Sequence, residues 1–236
     1  MSKRAVILAG GKGTRLRPYT LILPKPLMPL GETPILEVII KQLVVAGFNH
    51  ITLAVNHQAE IIKAFFKNGE KWGIKIDYSQ EDTPLGTMGP LKLIKDLPDN
   101  FLVMNGDILT DLDYKKFYDN HVKKKNIFTI SSYMREEFID YGVLETADGN
   151  LRGIQEKPRV KYEVSMGIYM MSIKSLDYFS SDDIYGFDNL MHDLIAAKKR
   201  VAVNKFAGFW LDIGRPDDYA QAIDEFERIC TQFLSQ

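Results

Sequence analysis

The chain of 236 residues contains one cysteine, Cys230, which leaves no intrachain disulfide and no cysteine-based zinc site. No apolar run approaches the roughly 18 to 20 residues of a membrane span. The basic N-terminal start meets only the short apolar stretch of residues 5–9 before two glycines, too short for the core of a secretory signal. A reducing cytoplasm is therefore the expected compartment. Net charge is scarce as well: 30 Lys and Arg stand against 31 Asp and Glu, leaving −1, so no global field attracts a nucleic acid or an anionic membrane. The chain has no Ser/Gly-rich linker, low-complexity stretch or internal repeat. What remains, 45% hydrophobic and 26% charged residues, is the composition of a packed globular protein. The expectation is a single domain, 1–236, with a first half over 1–125, a second over 126–215 and a C-terminal helix over 216–236.

Charge is unevenly placed along this chain. Lys3, Arg4, Lys12, Arg15, Arg17 and Lys25 fall in residues 1–30 without one Asp or Glu, so the first segment suits an anion.

Hydrophobic periodicity predicts alternating strands and helices. Arg4–Leu8 and residues 51–55 read as strands. Between them, Thr33 as N-cap, Pro34 at the first helical position, an apolar stripe through Ile35, Leu36, Ile39, Leu43 and Val44, and Gly47 as stop read as a helix. A helix over 58–67, a strand over 75–78, a helix over 88–95 and a strand over 101–104 follow, the pattern of a mostly parallel sheet covered by helices. Beyond about residue 126 the spacing predicts strands at 128–133, 141–145, 151–155 and 164–171, with Asp148-Gly149 as a hairpin turn. A helix over 188–199, a strand over 201–206 and a last helix complete the pattern. That last helix is expected to pack through Tyr219, Ile223, Phe226 and Ile229 or Cys230. The fold class expected is α/β, Rossmann-like, with a mixed second half.

The strand Arg4–Leu8 runs into Ala9-Gly10-Gly11-Lys12-Gly13-Thr14-Arg15. Glycines let backbone N–H groups close around phosphate oxygens, and the cations add charge. No Gly-Lys-Ser/Thr closes a Walker loop, and Leu16 stands where a dinucleotide fingerprint needs its third glycine. An ordinary β-α turn is as good a reading of the glycines alone. Lys25 then lies between Pro24 and Pro26, which fix the local backbone and predict an extended path that holds the lysine on a stiff segment.

Residues 8–20, LAGGKGTRLRPYT, followed by 24–29, PKPLMP, resemble the signature of the sugar-1-phosphate nucleotidyltransferases, or NDP-sugar pyrophosphorylases. The resemblance implies a Rossmann-like fold, an NTP and a sugar 1-phosphate as substrates, and an NDP-sugar plus pyrophosphate as products. It implies that Leu8, Ala9, Gly10, Gly11, Gly13, Thr14 and Arg15 bind nucleotide, with Arg15 and Lys25 catalytic.

Mg²⁺ needs only one or two carboxylates beside its waters. Asp107 follows the strand over 101–104 and so lies at a carboxyl end, where open α/β sheets bind ligands; Asp212 sits where an apolar stretch meets Gly214 and a helix start. Each alone reads as a surface or capping residue, but Asn105-Gly106-Asp107 and the stretch FWLDIG at 209–214 resemble the family's two metal-binding positions, and Asp107 is counted with the nucleotide site. Glu156-Lys157-Pro158, Gly142 and Ser165 resemble the sugar-phosphate positions, with Ser165-Met166 replacing the Asn-Ala of many relatives. In the family the segment after the third strand reads the base. The resemblance implies that Gln80 or Glu81 would supply a hydrogen bond and Gly86 would allow close approach, and the form PLGTMGPL at 84–91 resembles guanylyltransferases that make GDP-mannose or GDP-heptose.

A sugar phosphate has a second pKa near 6 and arrives ionised, so no general base is required, and His50, His57, His121 and His192 are expected to be structural or exposed. Arg15, Lys25 and Mg²⁺ would offset repulsion between the two phosphates. The alternatives are the same reaction with UTP, dTTP or CTP and a glucose-type phosphate, a catalytically silent regulatory subunit that binds nucleotide sugar, a small Rossmann reductase, and a cytidylyltransferase for an alcohol phosphate. Exposed apolar residues on the last helix leave self-association open.

Overall fold

The computed structural model describes residues 2–180 and 184–233. Chain order is β1 (Arg4–Leu8), β2 (Pro29–Leu30), β3 (Thr33–Pro34), α1 (Ile35–Val45), β4 (His50–Val55), α2 (Ala59–Phe66), β5 (Lys75–Gln80), β6 (Asn100–Asn105), β7 (Ile108–Thr110) and α3 (Tyr114–Lys123). It continues through β8 (Phe128–Phe138), β9 (Gly142–Ala147), β10 (Asn150–Glu156), β11 (Arg159–Ser172), α4 (Phe187–Ala196), β12 (Val201–Phe206), β13 (Trp210–Asp212) and α5 (Pro216–Phe233).

Seven strands form one sheet in the order β12-β8-β11-β6-β1-β4-β5. Only β11 runs against the others. The strand alternation divides the core between the two faces. Ala5, Ile7, Leu102, Met104, Ile168 and Met170 face α1, α2, α3 and α5, whereas Val6, Phe101, Val103, Tyr169 and Met171 face α4 and the single turns around Met88 and Leu91. Central strands buried on both sides must be apolar throughout, which is why Arg4–Leu8 shows no in-out alternation. Its one charged residue, Arg4, is buried and satisfied by Thr52 Oγ1 and Asp96 Oδ1 at the amino end of the sheet.

Several local features differ from the sequence-based expectation. Thr33 and Pro34 pair back on Pro29 and Leu30 as β3, so Pro34 becomes the N-cap of α1 and its first helical residue is Ile35. In place of a helix over 88–95 the chain forms a 3-10 helix, Gly89–Leu93, and turns extended at Ile94. Helix α3 has no counterpart among the expected elements. Asp113 caps it by accepting from Lys116 N at 2.8 Å, and Tyr114, Phe117, Tyr118 and His121 pack inward, an i, i+3, i+4, i+7 spacing that the expected elements leave out. Helix α5 docks through Tyr219, whose hydroxyl donates to Pro29 O at 2.6 Å, and through buried Ala222 and Phe226. Ile223 is instead exposed, and the side chains of Ile229 and Cys230 lie outside the described residues. Among the described residues no helix is long and apolar enough to cross a membrane.

His121 carries a testable consequence. Its Nδ1 meets Thr129 Oγ1 at 2.8 Å, its Nε2 is buried without a partner, and burial pushes its pKa down to about 4. Between pH 6.5 and 4 the unfolded chain takes up a proton that the folded state excludes, so stability falls as pH falls through that window. Chemical denaturation of wild type and His121→Phe at pH 7 and 4.5 should show the wild type losing more, by on the order of 2 kcal/mol; equal losses would contradict this.

Candidate active site

The carboxyl ends of β1, β4 and β6 open on a cavity of about 440 Å³, within the range of small-molecule sites. Leu8 to Lys12 form one wall, Asn56 and Glu81 a second, and Asn105 to Asp107 the floor, with Lys25 and Pro26 closing one side and Pro84, Gly86, Thr87 and Pro90 the other.

Of the residues expected to bind nucleotide, Leu8, Ala9, Gly10, Gly11, Gly86 and Asp107 line this cavity. Gly13, Thr14 and Arg15 do not; they shape the loop behind it. Gly13 has φ +58°, and its carbonyl accepts from Thr20 Oγ1 at 2.7 Å and Leu16 N at 2.9 Å. A Cβ there would sit 2.9 Å from Thr20 Cγ2, so both conformation and space require glycine.

Lys25 begins a 3-10 turn, Lys25–Leu27, and is not on an extended segment. The Pro24 and Lys25 carbonyls find donors in Leu27 N and Met28 N at 2.8 and 3.1 Å, and buried Pro26 and Leu27 anchor the turn. The Lys25 ammonium, nearly buried, pairs with Asp107 Oδ2, while Asp107 Oδ1 is buried with no partner.

Asp212 reaches the same region from a distant part of the sequence. β13 pairs antiparallel with β7, Asp212 opposite Ile108, and Ile213 N donates to Asp107 O at 3.0 Å. Burial pushes the Asp212 carboxyl up, the Asp107 charge pushes it further, and Lys25 and Arg15 oppose both. The Arg15 guanidinium extends to the turn after β13, where a side chain at Gly214 would stand 3.2 Å from Nη2. Two carboxylates are thus flanked by two cations, Lys25 on Asp107 and Arg15 beside the Asp212 turn. No group of three or more His, Cys, Asp or Glu capable of holding a metal exists among the described residues. The donor set is two hard carboxylates, one with an unpaired buried oxygen, which suits a divalent cation that keeps several waters.

Gln80 is not brought to the cavity: its Oε1 accepts from Lys63 Nζ at 2.6 Å on the outer surface. Strand alternation turns the next residue inward, and Glu81 lines the wall, accepting from Asn56 Nδ2 at 3.2 Å and Leu85 N at 3.1 Å. Gly86 has φ +84°, and a Cβ would lie 2.7 Å from Tyr185 O. Asn56, Thr87 and Asn105 also line the cavity; Thr87 and Asn105 fall within the motifs at 84–91 and 105–107, whereas Asn56 belongs to none. Asn56 follows β4 and Asn105 ends β6, so the strand-end rule points to both.

The residues expected to hold the sugar phosphate are placed differently. β11 and β8 pair past the end of β6, from Ser165 opposite Ser132 out to Arg159 opposite Phe138, forming an arm that overhangs the carboxyl end of the sheet by roughly 20 Å. Ser165 sits at its root, its Oγ donating to the Tyr169 hydroxyl at 3.1 Å and accepting from Gly167 N at 3.3 Å. Gly142, Glu156 and Lys157 belong to the hairpin β9–β10 on this arm, and Lys157 Nζ pairs with Asp140 Oδ1 at 2.7 Å. They are exposed and do not line the cavity.

The glycine loop, lysine turn and paired acidic segments coincide with a family. Residues 4–228 match the model of the Nucleotidyl transferase family, and the chain belongs to that family. It is 36% identical to mannose-1-phosphate guanylyltransferase catalytic subunit beta of Xenopus tropicalis, an alignment covering 92% of this chain and 62% of that one. It is 35% identical to UTP–glucose-1-phosphate uridylyltransferase of Synechocystis, over 93% and 62%. The chain thus spans about three fifths of the length of these relatives. Among solved structures, HddC from Yersinia pseudotuberculosis superposes with a TM-score of 0.73 at 27% identity, covering 95% of this chain and 99% of that one. A Bacillus anthracis structure containing sucrose shares the fold at TM-score 0.76, with 21% identity and 94% of each chain covered.

Proposed function

We propose that this protein transfers a nucleotidyl group from an NTP, GTP before the others, to a sugar 1-phosphate of mannose or heptose type, releasing pyrophosphate. The observation that carries the reading is the convergence of the Gly10-Gly11 loop, the Lys25 ammonium and the Asp107 carboxylate on one cavity at the carboxyl ends of the strands. The names of the relatives, guanylyltransferases prominent among them, favour guanine, and HddC was also solved with GMP-PN.

In this reading the loop amides from Ala9 to Gly11 receive the phosphates, and the apolar wall of Leu8, Ala54, Pro84 and Pro90 receives the base with Glu81 at its edge in place of Gln80. The attacking phosphate oxygen is already ionised, so the barrier is repulsion between two anions and charge growing on the leaving group. Lys25 and Arg15 offset that charge from opposite sides of the carboxylate pair. Asp107 and Asp212 would hold Mg²⁺, which when bound supplies further positive charge to the phosphates. Gly142, Glu156 and Lys157 contact the sugar phosphate from the arm, with Ser165 at its root. Because they stand outside the cavity, this role requires the arm to approach the nucleotide when the second substrate binds.

The test is pyrophosphate release for GTP, ATP, UTP, dTTP and CTP against mannose, glucose and heptose 1-phosphates, with and without Mg²⁺. The largest kcat/KM is expected for GTP with mannose or heptose 1-phosphate, and a largest value for UTP or dTTP moves the base assignment. No release in any combination overturns the reaction.

A further inference from the structure

Asp107 and Asp212 lie far apart in the chain, and what brings them together is a ribbon of only three residue pairs, Trp210 with Thr110, Leu211 with Leu109 and Asp212 with Ile108. So short a ladder specifies its register weakly, and a slip by one residue would turn Asp212 to the opposite face, away from Asp107. The ladder is held beside the acidic pair by Ile213 N donating to Asp107 O at 3.0 Å, and at its remote end by side chains. Asp111 Oδ1 accepts from Phe209 N at 2.6 Å, while Phe209 O accepts both from Asp111 N at 3.2 Å and from the Thr110 hydroxyl at 2.7 Å. Phe209 is thereby gripped on both its backbone groups by two adjacent side chains and one amide.

Two neighbouring features fit this grip. A Cβ at Gly208 would lie 2.4 Å from Asp111 Oδ1 and 2.5 Å from Phe206 Cζ, so glycine leaves the room that the carboxylate occupies. Trp210 fastens the same strand sideways, its indole N–H donating to Met166 O at 3.1 Å and its ring packing 5.3 Å from that of Tyr133. The Thr110 side chain is fully buried, so its hydroxyl has no water to turn to. Asp111 is not among the residues that line the cavity.

We propose that Asp111 and Thr110 are positioning residues: by gripping the Phe209 backbone they set the register of β7 against β13, and so place the Asp212 carboxylate beside Asp107 for joint use on a divalent cation. The inference rests on the reading of Asp107 and Asp212 as the metal pair. Partners that orient metal ligands at one remove change affinity by about 10- to 100-fold when lost.

Direct Mn²⁺ titration followed by electron paramagnetic resonance, on the protein without substrates, tests it. Asp111→Ala and Thr110→Val should each weaken Mn²⁺ binding by about tenfold. Asp111→Asn, which retains the Oδ1 acceptor, should stay within about twofold of wild type. A purely structural role predicts a lower thermal midpoint with unchanged Mn²⁺ affinity. Affinities within twofold of wild type for folded Asp111→Ala or Thr110→Val overturn the proposal, as does loss of binding in Asp111→Asn equal to that in Asp111→Ala. If Asp111→Ala does not fold, Thr110→Val decides alone. Wild type that binds no Mn²⁺ overturns the metal pair and this inference with it. Normal Mn²⁺ binding without pyrophosphate release overturns the proposed reaction only.

Discussion

Lys25→Ala is expected to lower kcat by roughly 10²- to 10³-fold, the usual effect of removing one preorganised charge from a site where negative charge develops. The ammonium is held by the turn Lys25–Leu27, so truncating the side chain leaves the buried Pro26 and Leu27 in place. Circular dichroism and the thermal midpoint should therefore remain close to wild type. Substrate binding should weaken less than turnover, because in the proposed reading the loop amides also hold the phosphates. Arginine is not expected to restore activity, since its planar fork does not fit the nearly enclosed position of a compact ammonium. A Lys25→Ala enzyme with near-normal kcat would remove Lys25 from the reaction.

Asp107→Ala should cost at least as much. It deletes both the carboxylate facing Lys25 and the buried oxygen that lacks a protein partner, leaving Lys25 without its counter-ion and Asp212 as the sole remaining member of the pair. Turnover is expected to fall by about 10³-fold or more, some 4 kcal/mol of barrier, and Mn²⁺ binding to the protein alone should disappear. Asp107→Asn keeps the shape and one oxygen but loses the charge, so its turnover should lie between the two. Mn²⁺ bound as tightly by Asp107→Ala as by wild type would assign the cation to other groups.

Both predictions depend on residues that local sequence patterns mark out. The glycine loop, Lys25 between two prolines, and Asp107 after an apolar strand are local features, since backbone freedom, restricted dihedrals and a strand end act over a few residues, but it is their resemblance to the family's motifs that singles them out. The alternating strands and helices are legible locally, since burial on one face imposes a period that neighbours share. Elements with weak local patterns are not. β7 and β13 are three residues each, below the length at which alternation can be read.

What the tertiary structure decides is which side chains meet. Sequence proximity offers Gln80 and Glu81 equally as neighbours of a base, but the pleat sends one to Lys63 and the other into the cavity. Likewise Gly142, Glu156 and Lys157 join the nucleotide residues by pattern alone, whereas the overhang of β8 and β11 carries them away from the cavity wall. The pairing of Asp107 with Asp212 is the fullest case. Sequence by itself determined the α/β class, because periodicity is local, while the glycine loop and the two carboxylates became candidates for phosphate and metal through the resemblance of their motifs to the family's. Only the ribbon between β7 and β13 set the carboxylates side by side, because strand register depends on hydrogen bonds made between segments remote in the chain, and no local rule reaches that far.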